Sequence, residues 1–261
     1  MSLDAEYDNR TRVPDHPLTF ARWQASAAAA RAAKPPVELA YGPGPRHRLD
    51  LFAAGAGAPL AVFLHGGYWQ ALDKGWFSGL APALNAHGVS LAVPSYDLCP
   101  DVTLAEILDQ VTAAVDLLAC EVARSALVFG HSAGGHMAAW LLAEGRVDRA
   151  VAYSGVFELE PLLETRLNAG LRLDAPTARA LSPRFRDPPA GTVLDCRVGG
   201  DESAEFLRQS RDMAAAWAAG GVDIRHVALE GLNHFTVLDP LFDPASAEVA
   251  RLLELARAPS R

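Results

Sequence analysis

The chain has 261 residues, half of them apolar, with 23 Lys and Arg against 31 Asp and Glu for a net charge of −8. That length buries an ample core. The acidic balance offers no basic stripe to nucleic acid and no attraction to an anionic membrane surface. Apolar runs break within about ten residues, too short to span a bilayer, and the opening Met1-Ser2-Leu3-Asp4-Ala5-Glu6 is the opposite of a secretory leader. Cys99, Cys120 and Cys196 are scattered and form no C-x-x-C, so neither a disulfide framework nor a zinc site is suggested. These features point to a reduced, cytoplasmic protein.

Taken in order, the first 34 residues begin polar and end in an Ala-rich helix over Leu18 to Ala33, halted by Pro35-Pro36. Tyr7, Asn9 and Arg10 either pack outside with that helix or reach a site mouth. Residues 37–41 and 46–52 alternate apolar and polar about Gly-Pro-Gly-Pro, which predicts an antiparallel hairpin at a sheet edge. The pattern then changes. Leu60 to Leu64 is continuously apolar, as befits a strand covered on both faces of a parallel sheet. The same signature returns at 89–93, 126–129, 150–153 and 193–198, with a last strand at 224–229. Helical segments at 76–86, 104–123, 133–144, 204–219 and 245–256 separate or follow these runs. Such alternation predicts a doubly wound, mostly parallel α/β sheet in one domain over residues 1–261. The Pro-rich stretch at about 157–190 is an insertion at the carboxyl ends of the strands, placed to act as a small lid.

Chemistry concentrates at Gly130-His131-Ser132-Ala133-Gly134, where an apolar strand passes directly into a helix. A Gly-x-Ser-x-Gly in that context marks a sharp turn presenting a serine nucleophile. A serine needs a base that is itself oriented by an acid, in the chain order serine, acid, histidine. Of the histidines downstream, His136 lies one helical turn past Ser132 and His226 lies within the last strand. His234, in the loop after that strand, is therefore the candidate base. The acid follows the strand at 193–198, where Asp201 and Glu202 both stand; neighbours on an extended loop point opposite ways, so one of them serves. The habit of an Asp after a Gly-rich turn favours Asp201. The backbone N–H of Ala133 and that of Gly66 or Gly67, in His65-Gly66-Gly67-Tyr68-Trp69, would form the two halves of an oxyanion hole. His65 is assigned to holding that loop by a hydrogen bond. Tyr68 and Trp69 are the candidate substrate contacts, beside Trp76 and Tyr96; core packing is the alternative for each.

With these residues in hand, the chain resembles the kynurenine formamidase (arylformamidase) branch of the α/β-hydrolases. The likeness rests on His65-Gly66-Gly67-Tyr68-Trp69, Tyr96-Asp97-Leu98-Cys99-Pro100, Gly130 to His136, Asn233-His234-Phe235 and the opening Tyr7-Asp8-Asn9-Arg10. It covers about residues 7 to 240. The resemblance implies the α/β-hydrolase fold and hydrolysis of N-formyl-L-kynurenine to kynurenine and formate, a small-molecule substrate handled without cofactor or metal. It also favours Glu202 as the acid, because Glu202-Ser203-Ala204-Glu205-Phe206 keeps the family's spacing with glutamate where aspartate is usual. The reading leans to Glu202 on that ground. Two rivals stand beside it: a carboxylesterase or thioesterase acting on short acyl or aryl esters, and a non-catalytic binding protein on the same fold. Whether the chain forms a homodimer is left open.

Overall fold

The computed structural model describes residues 2–122 and 126–259. In chain order the elements are α1 (Leu3–Tyr7), α2 (Asn9–Arg12), α3 (His16–Ala33), β1 (Val37–Ala40), β2 (Arg48–Phe52), β3 (Leu60–Leu64), α4 (Ala81–Asn85), β4 (Ser90–Pro94) and α5 (Leu104–Glu121). There follow β5 (Ala126–His131), α6 (Ala133–Ala143), β6 (Arg149–Tyr153), α7 (Asn168–Leu171), α8 (Ala175–Ala180), β7 (Val193–Gly199), α9 (Ala204–Ala219), β8 (Asp223–Leu229) and α10 (Ala247–Arg257). Ala123, the expected last residue of α5, lies outside the described residues.

The strands form one eight-stranded sheet in the order β1-β2-β4-β3-β5-β6-β7-β8. β2 pairs antiparallel with β1 and β4, and every other pairing is parallel. The continuous apolar runs have a simple cause. On β3 and β5, Val62, Leu64 and Val128 face a core shared with α5, α6 and α9, while Ala61, Phe63, Leu127 and Phe129 face another shared with α3, α4 and α10. Both faces are dry, so neither alternate position can be polar. Thr103 starts α5 with a reciprocal capping box to Glu106. Among the described residues no helix is long and apolar enough to cross a membrane.

Two local expectations differ. The predicted helix at 76–86 divides into a 3-10 turn, Lys74–Leu80, followed by α4. Gly79 packs so close to Ser26 of α3 that a Cβ there would overlap its hydroxyl, and Pro82 sits where α4 begins. The N-terminal residues are not merely polar either: α1 buries Tyr7, 2% exposed, and ties it to α9 through Tyr7 Oη donating to Glu205 Oε2 at 2.8 Å.

The insertion between β6 and β7 folds as two 3-10 turns flanking α7 and α8. It is held from two sides. The Arg166 backbone N–H donates to Asp4 Oδ1 at 2.7 Å, and Gln70 Nε2 donates to Leu167 O at 3.2 Å.

Candidate active site

Ser132 sits between β5 and α6 at φ 56°, ψ −116°, a conformation that costs an L-residue about 1–3 kcal/mol. The surroundings fix it. Its N–H donates to Tyr153 O at 2.8 Å, and a Cβ on Gly130 would overlap the backbone of Gly134. The turn leaves Ser132 at the amino end of α6, where the Ala133 N–H has no partner within the helix.

His234 lies in the loop after β8. The Asn233 side-chain oxygen accepts from the N–H groups of Phe235 and Thr236 at 3.0 and 3.1 Å, closing a turn around it. His234 Nδ1 lies 2.7 Å from Glu202 Oε2, and the neutral ring that donates there has its Nε2 lone pair free to accept. The other carboxylate oxygen of Glu202 accepts from the Gly199 N–H at 2.7 Å and from Ser154 Oγ. Asp201 points to solvent. Glu202 is thus the carboxylate that meets the imidazole.

Ser132 and His234 line one cavity of about 350 Å³. Gly67 and Tyr68 reach its wall from the loop after β3, and Leu72, Phe20, Trp23 and Phe235 make it largely apolar. Along that loop Gly67, Tyr68 and Trp69 have φ of 104°, 52° and 56°. Three consecutive positive φ values wind the chain so that Tyr68 faces the cavity while Trp69 turns inward. Tyr68 Oη donates to Tyr7 O at 2.7 Å and accepts from Asn9 Nδ2 at 3.1 Å. Trp69 does not line the cavity. It is fully buried, edge-on to His136 at 5.0 Å, and its carbonyl accepts from the Cys99 N–H. The expectation that Trp69 contacts substrate is corrected on that ground. Gly66 packs under Ser132, where a Cβ would lie 3.1 Å from Ser132 Cβ.

Three other histidines, His65, His131 and His136, brace the frame around the site. His65 Nδ1 donates to Gly66 O at 2.8 Å, and its ring stacks on Tyr96, whose hydroxyl donates to His65 O at 2.7 Å. His131 Nε2 donates to His234 O at 2.7 Å, joining the serine turn to the histidine loop. His136 bonds Leu181 O at 2.8 Å, and His226 is exposed on β8. Tyr7, Asn9 and Arg10 do reach the mouth, together with Asp4, Asp8 and Arg166. Asp4 and Arg166 were invisible as site residues in the sequence, because only tertiary contacts bring them together. Ser154, which bonds Glu202, escaped notice too, although its place just after β6 was a clue. Among the described residues no group of three or more His, Cys, Asp or Glu side chains could hold a metal ion.

Burial pushes His65 and His136 down from 6.5 to about 4, and His131 well below its usual value. The unfolded chain takes up these protons near pH 6.5, whereas the folded chain resists those on His65 and His136 until about pH 4. Stability from these sites is therefore complete above pH 6.5 and is lost as pH falls toward 4, by up to about 1.4 kcal/mol per site per pH unit. Urea unfolding is expected to show a clearly lower midpoint at pH 5.5 than at pH 7.5. Equal midpoints would contradict neutral burial of these rings.

No protein-family model matches the chain. A kynurenine formamidase of Drosophila melanogaster is 30% identical over 225 residues, 77% of this chain and 75% of that protein. One from Danio rerio is 25% identical over 79% of this chain and 77% of its own length. The crystal structure of a "putative thioesterase" from Silicibacter sp. tm1040 is 37% identical, superposes with a TM-score of 0.90, and is covered over 97% of this chain and 99% of the other. A thermostable carboxylesterase from a metagenomic library shares the fold at 17% identity and a TM-score of 0.69, over 90% of this chain and 92% of its own. The sheet order, the serine turn and identity of this extent make the chain a hydrolase that belongs to the kynurenine formamidase family of the α/β-hydrolases.

Proposed function

We propose that the chain hydrolyses aryl formamides, with N-formyl-L-kynurenine as its substrate, through Ser132, His234 and Glu202. The observation that carries the reading is the Glu202–His234 hydrogen bond of 2.7 Å at the cavity that Ser132 also lines. Ser132 Oγ attacks the formyl carbon while His234 Nε2 takes its proton, and Glu202 stabilises the resulting imidazolium. The Ala133 N–H and an N–H from the Gly66-Gly67 pair hold the oxyanion; Gly67, which lines the cavity, is the better placed. Collapse breaks the C–N bond as His234 returns the proton to the aryl amine. Water, deprotonated by His234, then attacks the formyl ester; the acyl C–Oγ bond breaks, His234 returns the proton to Ser132 Oγ, and formate leaves. The formamidases of fly and fish support this substrate.

A second reading keeps the machinery and changes the substrate to a short acyl ester or thioester, favoured by the 37% identity to the Silicibacter protein. The test is kcat/KM for N-formyl-L-kynurenine beside p-nitrophenyl acetate and butyrate, with Ser132→Ala as the blank. Formyl-kynurenine turnover of about 10⁵ M⁻¹s⁻¹ or more, with weak butyrate cleavage, is the expected result. Esters winning by orders of magnitude would transfer the assignment to the second reading.

A further inference from the structure

Two carboxylate and two guanidinium side chains line the cavity: Asp4, Asp8, Arg10 and Arg166. Three of them are committed to one another. Arg166 Nη2 donates to Asp8 Oδ2 at 2.9 Å, and its Nε lies 3.6 Å from Asp4 Oδ1. Arg10 has no carboxylate partner among the described residues; its guanidinium lies over the Phe20 ring at 5.8 Å. An exposed arginine on open surface needs no explanation, but this one lines the cavity of the nucleophile. Its backbone is also fixed there. Asp8 caps α2 by accepting from the Thr11 N–H and hydroxyl at 3.2 and 2.9 Å, and the neighbouring Asn9 is bonded to Tyr68 of the glycine loop. The charges leave a surplus of each sign: one uncommitted guanidinium, and two carboxylates sharing a single arginine.

We infer that Arg10 binds the carboxylate of an amino-acid group carried on the leaving side of the substrate. This rests on the aryl formamide reading above and names the residue that selects within it. A guanidinium fork matches a carboxylate in two parallel hydrogen bonds, and the Phe20 face holds its plane in place. An ammonium beside that carboxylate meets the negative surplus at Asp4 and Asp8. A neutral aryl amide or ester fills the apolar part of the cavity and leaves Arg10 unused.

The test is titration calorimetry of the full chain with L-kynurenine and with 2-aminoacetophenone, the same aryl ketone without its amino-acid group. Wild type is expected to favour L-kynurenine by about tenfold or more, the scale of one charge-assisted pair. Arg10→Ala is expected to abolish that preference, and Arg10→Lys to recover part of it, because a point charge replaces the fork. A preference unchanged in Arg10→Ala, or absent in wild type, overturns the assignment. Binding is read apart from turnover, so the two ideas fail separately. Discrimination that depends on Arg10 without formyl-kynurenine hydrolysis would sink the reaction and keep the site, whereas hydrolysis with the ratio unmoved would sink the role of Arg10 alone.

Discussion

Glu202→Gln is expected to lower kcat by about 10³ to 10⁴-fold, while Asp201→Asn leaves it within about twofold. The difference follows from three donors that converge on the two oxygens of Glu202: His234 Nδ1–H, the Gly199 N–H and Ser154 Oγ–H. An amide offers one oxygen and one NH₂ group. If its oxygen stays with Gly199 and Ser154, the NH₂ faces His234 and the ring proton must move to Nε2, where it blocks acceptance of the serine proton. If the amide flips, Nδ1–H keeps an acceptor, but Gly199 and Ser154 face a donor inside the protein at about 1–3 kcal/mol for each unmet group. Either arrangement hurts, and the first is fatal to base catalysis. Among the described residues Asp201 has no comparable partner, and it is exposed, so its charge is screened by water. Steady-state rates on N-formyl-L-kynurenine and p-nitrophenyl acetate check both variants, with thermal melting to separate catalysis from folding. A large loss in Asp201→Asn with Glu202→Gln spared would reverse the assignment.

That choice between adjacent carboxylates shows where the sequence stops being readable. The succession of strands and helices along the chain, the Gly-x-Ser-x-Gly turn and the histidine after the last strand are local patterns imposed by burial and backbone geometry. They could be placed to within a few residues. Which of Asp201 and Glu202 meets His234 depends instead on Ser154, 48 residues away from Glu202 and just past the end of β6. Trp69 went astray for a related reason. An aromatic beside a glycine loop is compatible with cavity or core, and only the positive φ values at 67–69 direct Tyr68 one way and Trp69 the other. The cavity wall built from Asp4 to Arg10 was harder still. Its placement hangs on the bond from Tyr7 to Glu205, 198 residues apart, and on Arg166 reaching back from the insertion. Those are tertiary contacts with no periodic trace in the chain.

Gly134→Ala is expected to destabilise the fold by about 4 kcal/mol or more, a fall in Tm of roughly 8–16 °C for a chain near this size. Helix propensity alone predicts the reverse, because Gly134 lies in the first turn of α6 and alanine is favoured there by about 1 kcal/mol. Sterics decides the sign. A Cβ on Gly134 would overlap Leu64 O and stand 2.6 Å from Leu64 C and 2.9 Å from His65 O, all backbone atoms that no rotamer change can move. Relief requires α6 to withdraw from the end of β3. That movement would separate the Ala133 amide from the loop that begins at His65, so activity should fall even in whatever fraction still folds. Gly220→Ala provides the contrast: it lies after α9 at φ −83°, and the added methyl meets only Trp217 O at 3.4 Å. That variant is expected to melt within about 2 °C of wild type. Should Gly134→Ala melt with it, the serine turn would have room that the packing denies. The glycine at 134 is required for the close approach of two backbones, which is what brings the amino end of α6 beside the glycine loop of β3.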